Sequence, residues 1–227
     1  MDGNAIPTPN SPSNGFHIRD PISALTHCFA FAAALLGTFP LLYHAAQQGA
    51  QTNALLSLGI FMASMMLLYA ASTAYHSFDL SEAGNKRLKK LDHTMIFFLI
   101  AGSYTPVCIV KLGTAGMRLL ALVWFLAIVG ALFKLIWVTC PKWVSSVIYI
   151  AMGWSCLTAM PQILAAVSTG GFVMLLLGGI FYTVGGVVYA LKPKRLAGKA
   201  FGIHEIFHLF VMAGSLCHYI FMYAFLI

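Results

Sequence analysis

Two histidines near the end of the chain have the spacing of metal ligands. His204 and His208 are four residues apart, and on an α-helix that spacing places both rings on one face, one turn apart. Neutral imidazole is the commonest metal ligand in proteins. His76 could supply a third nitrogen, and three protein ligands plus one water are typical of catalytic zinc. The three histidines therefore predict a Zn²⁺ site.

Two further side chains could carry out chemistry at such a site. Zinc lowers the pKa of a bound water to about 7, and Asp92 could hold that water and accept its proton as a general base. Ser72 precedes His76 by one helical turn, and its hydroxyl could hydrogen-bond Asp92, the water or a substrate carbonyl oxygen. We therefore predict Asp92 and Ser72 as catalytic residues.

The last two histidines also fit a different kind of enzyme. Residues 204–208 read His-Glu-Ile-Phe-His, which matches the HExxH motif of zinc proteases, where the glutamate is the general base. Glu205 would equally favour the positive N-terminus of a helix. A membrane-embedded protease needs a further ligand, and Asp92 could supply it. The protease interpretation remains an alternative.

The remaining histidines of the apolar segments lie at other positions. His93 follows Asp92 and points about 100° away from it around a helix, so we expect a supporting or interfacial role. His27 lies a turn or two inside the first apolar segment and could support a ligand, while His44 lies near that segment's far end. His218 is ten residues past His208, or about 15 Å along a helix, too far to bind the same ion.

The composition decides which elements can position these residues. The chain has 227 residues, of which 60% are hydrophobic and 8% charged, whereas soluble domains have about 25% charged residues. With so few charges the chain is an integral membrane protein. We expect a disordered tail over residues 1–20, which are polar and rich in Pro, Ser and Asn, and one transmembrane domain over residues 21–227.

The hydropathy pattern predicts an all-α bundle of seven transmembrane helices. A spanning helix needs about 20 largely apolar residues, and seven segments satisfy this. They are Ile22–Ala46, Asn53–His76, Leu91–Val110, Met117–Val138, Val144–Val167, Phe172–Leu191 and Phe201–Ile227.

The basic residues predict the orientation of this bundle. Of the 13 lysines and arginines, all but Lys111 and Arg118 fall on one side of the seven segments. The positive-inside rule places that side, and with it the N-terminus, in the cytoplasm. The three histidines and Asp92 then share the cytoplasmic end. The net charge of +7 is explained by these loops, so we expect no nucleic-acid partner.

Several motifs, taken together, resemble the hemolysin III branch of the progestin and adiponectin receptor family. The similarity runs from about Asp20 to the C-terminus. The segments that carry it are Ser72–His76, Leu91–His93, Ala101–Pro106, Ala151–Trp154 and His204–His218.

The resemblance implies a seven-helix fold with a cytoplasmic N-terminus and a zinc site on His76, His204 and His208. It also implies roles for Asp92 and Ser72, which match the family's aspartate and serine. Bacterial relatives usually have Glu where this chain has Asp20, followed by a Thr-His pair that is Thr26-His27 here. The wider superfamily includes alkaline ceramidases, and bacterial members are linked to membrane-lipid homeostasis.

The sequence therefore favours a zinc-dependent intramembrane hydrolase that acts on a lipid amide or ester. We expect it to be a multi-pass protein of the cell membrane, inner or plasma, with a membrane lipid as substrate or ligand. One alternative is a non-enzymatic sensor of membrane state with structural zinc. Another is a pore-forming cytolysin, which the absence of a polar stripe along any segment disfavours. The oligomeric state stays open.

Overall fold

Seven membrane-spanning helices make up the part of the chain that the computed structural model describes, residues 18–193, 198 and 201–227. Six of these spans are single helices and one is divided into two. The helices are α1 (Pro21–Gln47), α2 (Thr52–Ser77), α3 (Glu82–Val110), α4 (Gly113–Ile136), α5 (Lys142–Gly153), α6 (Met160–Ala166), α7 (Thr169–Leu191) and α8 (Ile203–Ala224). The predicted all-α fold class and the seven spans are confirmed.

Packing follows the chain order, with α1 closing the bundle. Helix α2 packs on α1 and α3, α3 packs on α4, and α8 packs on α7 and α1. The centre is densest between α2 and α3, where Phe61 and Ala101 are completely buried. The outer faces carry large apolar side chains, such as Leu36, which is 76% exposed. An apolar outer face is stable only against lipid hydrocarbon.

Close contact between α2 and α3 depends on one small residue. A Cβ atom placed on Gly102 would lie 2.1 Å from the Ser64 Oγ atom. Small residues at helix interfaces let the backbones approach in membranes, where packing replaces the hydrophobic effect. Because α2 and α3 carry Ser72, His76 and Asp92, this contact fixes how those side chains lie relative to one another.

Helix α3 begins nine residues before the predicted span. Ser81 caps its first turn by accepting a hydrogen bond from the Gly84 backbone N–H at 3.3 Å, and Glu82 favours the positive helix end. Hydropathy detects only the part of a helix within hydrocarbon, so the charged first turns of α3 were predicted as a loop. Asp92 therefore lies inside a rigid helix, and not at its start.

The fifth span is broken in the middle. A 3₁₀ segment, Trp154–Ala159, separates α5 from α6. The Tyr104 hydroxyl of α3 donates to the Gly153 carbonyl and accepts from the Cys156 backbone N–H. A broken helix is tolerated at membrane depth where other groups satisfy the freed backbone. Pro161 lies in the first turn of α6, where a proline is tolerated because its missing N–H would have no partner within the helix.

We call one end of the bundle the basic end, and it is defined by Arg19, Lys86, Lys89, Lys134 and Lys192. The N-termini of α1, α3, α5 and α8 and the C-termini of α2, α4 and α7 meet there. The predicted placement of this end in the cytoplasm remains a prediction. Most of the predicted tail, residues 1–17, lies outside the described residues.

Candidate metal centre

The first turns of α8 carry two of the three predicted ligands on one face. The His204 and His208 ring centroids are 4.4 Å apart. Glu205 closes the start of the helix by accepting a hydrogen bond from the Gly202 backbone N–H at 2.9 Å, which fixes the turn that presents His204. The i, i+4 spacing therefore gives the predicted pair of convergent rings.

His76, in the last turn of α2, completes the cluster. Its Nε2 atom lies 2.9 Å from the His204 Nε2 atom, and one ring nitrogen from each of His76, His204 and His208 lies within 4.8 Å of the others. His76 and His208 are buried and His204 is half-buried. The structure thus brings the three predicted ligands together, from two helices that are far apart in sequence, and we call them the histidine cluster.

The second ring nitrogen of His76 is held by an acidic residue just before α1. His76 Nδ1 donates a hydrogen bond to the Asp20 carboxylate at 2.9 Å, and the Asp20 backbone N–H donates to the His76 carbonyl at 2.9 Å. Partial burial alone would raise the pKa of Asp20, but the hydrogen bonds from His76 and Arg19 outweigh it and lower that pKa. Because a carboxylate only accepts, Nδ1 carries the proton and the Nε2 lone pair stays free for an ion.

The second ring nitrogen of His208 is held in a similar way. The Thr26 hydroxyl lies 3.1 Å from His208 Nδ1 and donates its single hydrogen to the Ser23 carbonyl at 2.9 Å. The hydroxyl must therefore accept from His208, so Nδ1 carries the proton and Nε2 has the lone pair. Metal-binding histidines almost always donate their other N–H to a carboxylate, carbonyl or water, which fixes the ring.

These residues fit a metal ion. With His76 Nε2 as an acceptor, the facing His204 Nε2 either donates to it in the metal-free protein or turns its own lone pair to a shared cation. Zinc–nitrogen bonds of about 2.0–2.1 Å in tetrahedral geometry separate two nitrogens by roughly 3.3 Å. The 2.9 Å separation would therefore widen by only a few tenths of an ångström. The cluster can hold a metal ion, and a set of neutral imidazoles suits zinc.

Glu205 does not face the cluster as a protease base would. One carboxylate oxygen accepts from the Ser23 hydroxyl at 2.6 Å and the other accepts from the Gly202 N–H. Both contacts lie at the start of α8, where a carboxylate also stabilises the helix end. Glu205 thus connects α8 to α1. In this position it does not face the histidines as the general base of the HExxH interpretation would.

The predicted catalytic residues lie beside the histidine cluster, in the wall of one cavity. Asp92 is 6% exposed and Ser72 is 1% exposed, and both line this cavity together with His204 and His208. An Asp92 carboxylate oxygen lies 3.2 Å from His93 Nδ1. The Ser72 hydroxyl has no hydrogen-bond partner within the described residues.

The cavity is long and its walls are mainly apolar. It has a volume of about 190 Å³ and runs from Tyr189 at the basic end to Phe172 near the opposite end of α7. These two residues are seventeen positions apart, or about 25 Å along a helix, which is most of the hydrocarbon thickness of a bilayer, about 30 Å. The broken fifth span forms part of the wall through Trp154 and Met160. The shape suits an acyl chain.

The other histidines lie where the sequence suggested, with one exception. His44 stacks on Tyr223, with a ring-centroid separation of 4.3 Å, away from the histidine cluster. His218 lines the part of the same cavity that lies farther from the basic end. His93 was expected to point away from Asp92, but it lies within ion-pair distance of that carboxylate, because χ rotations let neighbouring long side chains meet at a helix surface.

Sequence reasoning did not assign roles to the residues that orient the ligands. Asp20 and Thr26 stood out only as counterparts of family positions, and nothing in their spacing shows that they bond to His76 and His208. A buried network was missed altogether: the hydroxyls of Tyr69 and Tyr182 lie 2.7 and 2.9 Å from the Ser215 hydroxyl. Such partners come from three different helices, so no local pattern could reveal them.

Comparison with known proteins identifies the family of this chain. Residues 17–219 match the model of the family described as Haemolysin-III related. The chain is 37% identical over 202 residues to the Hemolysin-3 homolog of Bacillus subtilis (strain 168), covering 88% of this chain and 91% of that protein. It is 35% identical over 194 residues to Hemolysin-3 of Bacillus cereus, covering 85% of each.

A more distant relative lies in the receptor branch. The adiponectin receptor protein of Drosophila melanogaster is 26% identical over 189 residues, covering 74% of this chain and 42% of that receptor. The family match spans the whole segment that carries the histidine cluster, from Asp20 to His208. This multi-pass membrane protein belongs to the Haemolysin-III related family, within the wider progestin and adiponectin receptor group.

Proposed function

We propose that this protein is a zinc-dependent intramembrane hydrolase of a lipid amide or ester, acting in membrane-lipid homeostasis. One observation carries the proposal: the histidine cluster, in which hydrogen bonds to Asp20 and Thr26 orient the rings of His76 and His208, lies at one end of a long, mainly apolar cavity. Asp92, Ser72 and two of the three ligands, His204 and His208, line that cavity. A purely structural site has no need of such a cavity.

A zinc ion held by His76, His204 and His208 would polarise a carbonyl oxygen and provide a nucleophilic water near neutral pH. Asp92 accepts the proton of the attacking water and returns it to the departing amine or alcohol as the carbonyl–heteroatom bond breaks. The Ser72 hydroxyl donates to the carbonyl oxygen as negative charge develops there. The apolar cavity holds the acyl chain and excludes bulk water.

The proposed reaction predicts a specific product. Purified protein in lipid nanodiscs, supplied with a panel of acyl amides and esters, should release free fatty acid, quantified by mass spectrometry. Asp92→Asn should lower the rate by about 10²–10⁴-fold, the usual contribution of a general base, and should keep the bound metal. Asp79→Asn changes an exposed carboxylate of the loop before α3 and should leave the rate unchanged.

Two results would contradict the proposal. One is that wild-type protein with a full complement of metal releases no fatty acid from any lipid of the panel. The other is release that survives Asp92→Asn unchanged, because the reaction would then need another base.

A second candidate is a non-enzymatic membrane-state sensor with structural zinc, and the packing favours it in one respect. Helix α8 packs on α7 and α1, whereas α2 packs on α1 and α3. The contact between His76 and His204 therefore links α2 to α8, two helices that both pack on α1 but otherwise have different packing partners, α3 and α7. On this hypothesis, metal removal increases hydrogen exchange at the end of α2 and the start of α8, and wild-type protein forms no product.

A further inference from the structure

Unpaired polar atoms are concentrated around the cavity. Within the described residues, five side chains have a buried nitrogen or oxygen atom without a hydrogen-bond partner, and all but Thr94 line the cavity. They are His27, Ser72, His93, Thr94 and His218, of which His93 has its Nδ1 atom 3.2 Å from an Asp92 oxygen but not in hydrogen-bond geometry. Leaving a buried polar atom unpaired destabilises the folded protein, so each such atom calls for an explanation.

His27 is the most unusual of these residues, because both of its ring nitrogens are unpaired. The side chain is 3% exposed and stacks on His208, with ring centroids 3.5 Å apart and planes inclined by 8°. It also meets the Tyr69 ring edge-on at 5.0 Å. Stacking explains the ring, since a phenyl group would stack as well, but it does not explain the nitrogens.

Ser72 lies close to this position. Tyr69, which contacts His27, and Ser72 are three residues apart on α2 and so share a helix face. Both His27 and Ser72 line the cavity at the end that also holds Asp92, His204 and His208. The two residues with unpaired atoms therefore flank the place where the polar group of a lipid in the cavity would lie.

We propose that His27 is a specificity-determining residue for a hydroxyl group on the lipid headgroup. A neutral imidazole has one N–H donor and one acceptor nitrogen. A ligand hydroxyl can donate its hydrogen to the acceptor nitrogen of His27. An ionised fatty acid and an alkyl ester have no hydrogen to donate, so each would leave that nitrogen unpaired. This inference rests on the proposed lipid substrate and names its class: acyl amides or esters of a hydroxylated amine or of glycerol.

A matched pair of lipids tests the proposal. N-oleoylethanolamine ends in a hydroxyl, and N-propyl oleamide has a methyl group in its place. Equilibrium binding of each to the full chain in nanodiscs is measured by displacement of a fluorescent fatty acid. Wild-type protein should bind the hydroxylated lipid about tenfold more tightly, as expected where a site built for a hydrogen bond rejects the analogue without it. In His27→Phe the ratio should fall to about one.

Further measurements separate recognition from structural support. His27→Phe keeps the stack on His208 and removes two unpaired nitrogens, so its melting temperature should be equal to or above that of the wild type. Its metal content should be unchanged. His218→Phe removes another histidine of the cavity wall, about 15 Å from His208 along α8, and should keep the tenfold ratio.

The proposal is overturned if wild-type protein binds the two lipids equally or if the ratio survives in His27→Phe. Loss of metal in His27→Phe would also overturn it, because His27 would then act by supporting His208. Mass spectrometry of the lipids recovered after binding shows whether they stayed intact. A tenfold ratio, together with no fatty acid released from any lipid of the panel, would support this site and contradict the hydrolase, so the two proposals fail separately.

Discussion

Two buried polar clusters lie at the basic end of the bundle, and they compensate for burial in different ways. One is the histidine cluster. The other, which we call the lysine cluster, consists of Lys134, Cys140 and Ser145. Lys134 is 1% exposed, and its Nζ atom donates to Cys140 Sγ at 3.1 Å and Ser145 Oγ at 2.5 Å.

The difference between the clusters lies in the direction of their lone pairs. In the lysine cluster a residue that only donates meets two acceptors, which bind two of the three hydrogens of its ammonium group. In the histidine cluster the outer nitrogens of His76 and His208 donate to Asp20 and Thr26, and the inner lone pairs face one another. Such an arrangement is complete only with a proton or a cation between the rings. Burial and polarity alone therefore do not identify a metal site.

The largest expected effect is loss of metal from the histidine cluster. His204→Ala and His208→Ala each remove one of three ligands and should weaken metal binding by more than about 100-fold, since even supporting residues are worth 10–100-fold. Elemental analysis should find about one zinc per chain in wild-type protein and in Lys134→Met, and almost none in the two histidine variants. Equal metal in all four proteins would remove the distinction between the clusters.

The next effect is the stability gained from the bound metal. A ligand present at 100 times its Kd stabilises the folded state by about 2.7 kcal/mol, and for a chain of this size that is roughly 5–10 °C in melting temperature. A chelator should lower the melting temperature of wild-type protein by this amount and leave that of His208→Ala unchanged. A shift of the same size in both proteins would mean that the chelator acts elsewhere.

A smaller effect is expected from replacing the residues that hydrogen-bond to the Nδ1 atoms of His76 and His208. Asp20→Ala and Thr26→Val should each lower metal affinity by about 10–100-fold, because the rings lose the groups that orient them. Glu205→Gln is the matched control, since Glu205 bonds to Ser23 and Gly202 and to no histidine. Competition with a zinc-binding dye gives the affinities. A loss in Glu205→Gln as large as that in Asp20→Ala would return Glu205 to the metal site.

The smallest effect is expected when Lys134 of the lysine cluster is replaced by an apolar side chain of similar length. Lys134→Met should change the free energy of unfolding by no more than about 1 kcal/mol, because apolar replacement of a buried charge is often neutral. Cys140 Sγ and Ser145 Oγ lie 3.3 Å apart and can bond to each other. Lys134→Ala leaves a cavity and should cost about 2–5 kcal/mol. Denaturant titration in detergent compares the two, and equal losses would show that the amine itself is needed.

The sequence predicted most of the fold because hydrocarbon imposes a length and a composition on each span. It missed the early start of α3, since the charged turns around Lys86 lie beyond the apolar stretch. It also missed the 3₁₀ break after Gly153, which Tyr104 stabilises from another helix. The local cap at Ser81 decides the first feature and the tertiary hydrogen bonds of Tyr104 decide the second, and hydropathy contains neither.

The candidate site also has some features that the sequence predicted and others that it did not. The i, i+4 spacing of His204 and His208 and the alternation of span directions were enough to predict that these two rings and His76 lie at the same end and depth. The ion-pair distance between Asp92 and His93, and the turning of Glu205 towards Ser23, depend on side-chain rotamers and neighbouring helices. Sequence spacing gives the face of a helix but not the contact that its side chain makes.

Apolar length and helical periodicity are local properties, so the order of residues was enough to predict a membrane protein with seven spans and three convergent histidines. Contacts between helices settle which nitrogens of His76 and His208 are free, which residues share the cavity wall, and that His27 lies against His208 with its nitrogens unpaired. Those features arise where α1, α2 and α8 meet. Their positions along the chain are too far apart for any local pattern to encode the contact.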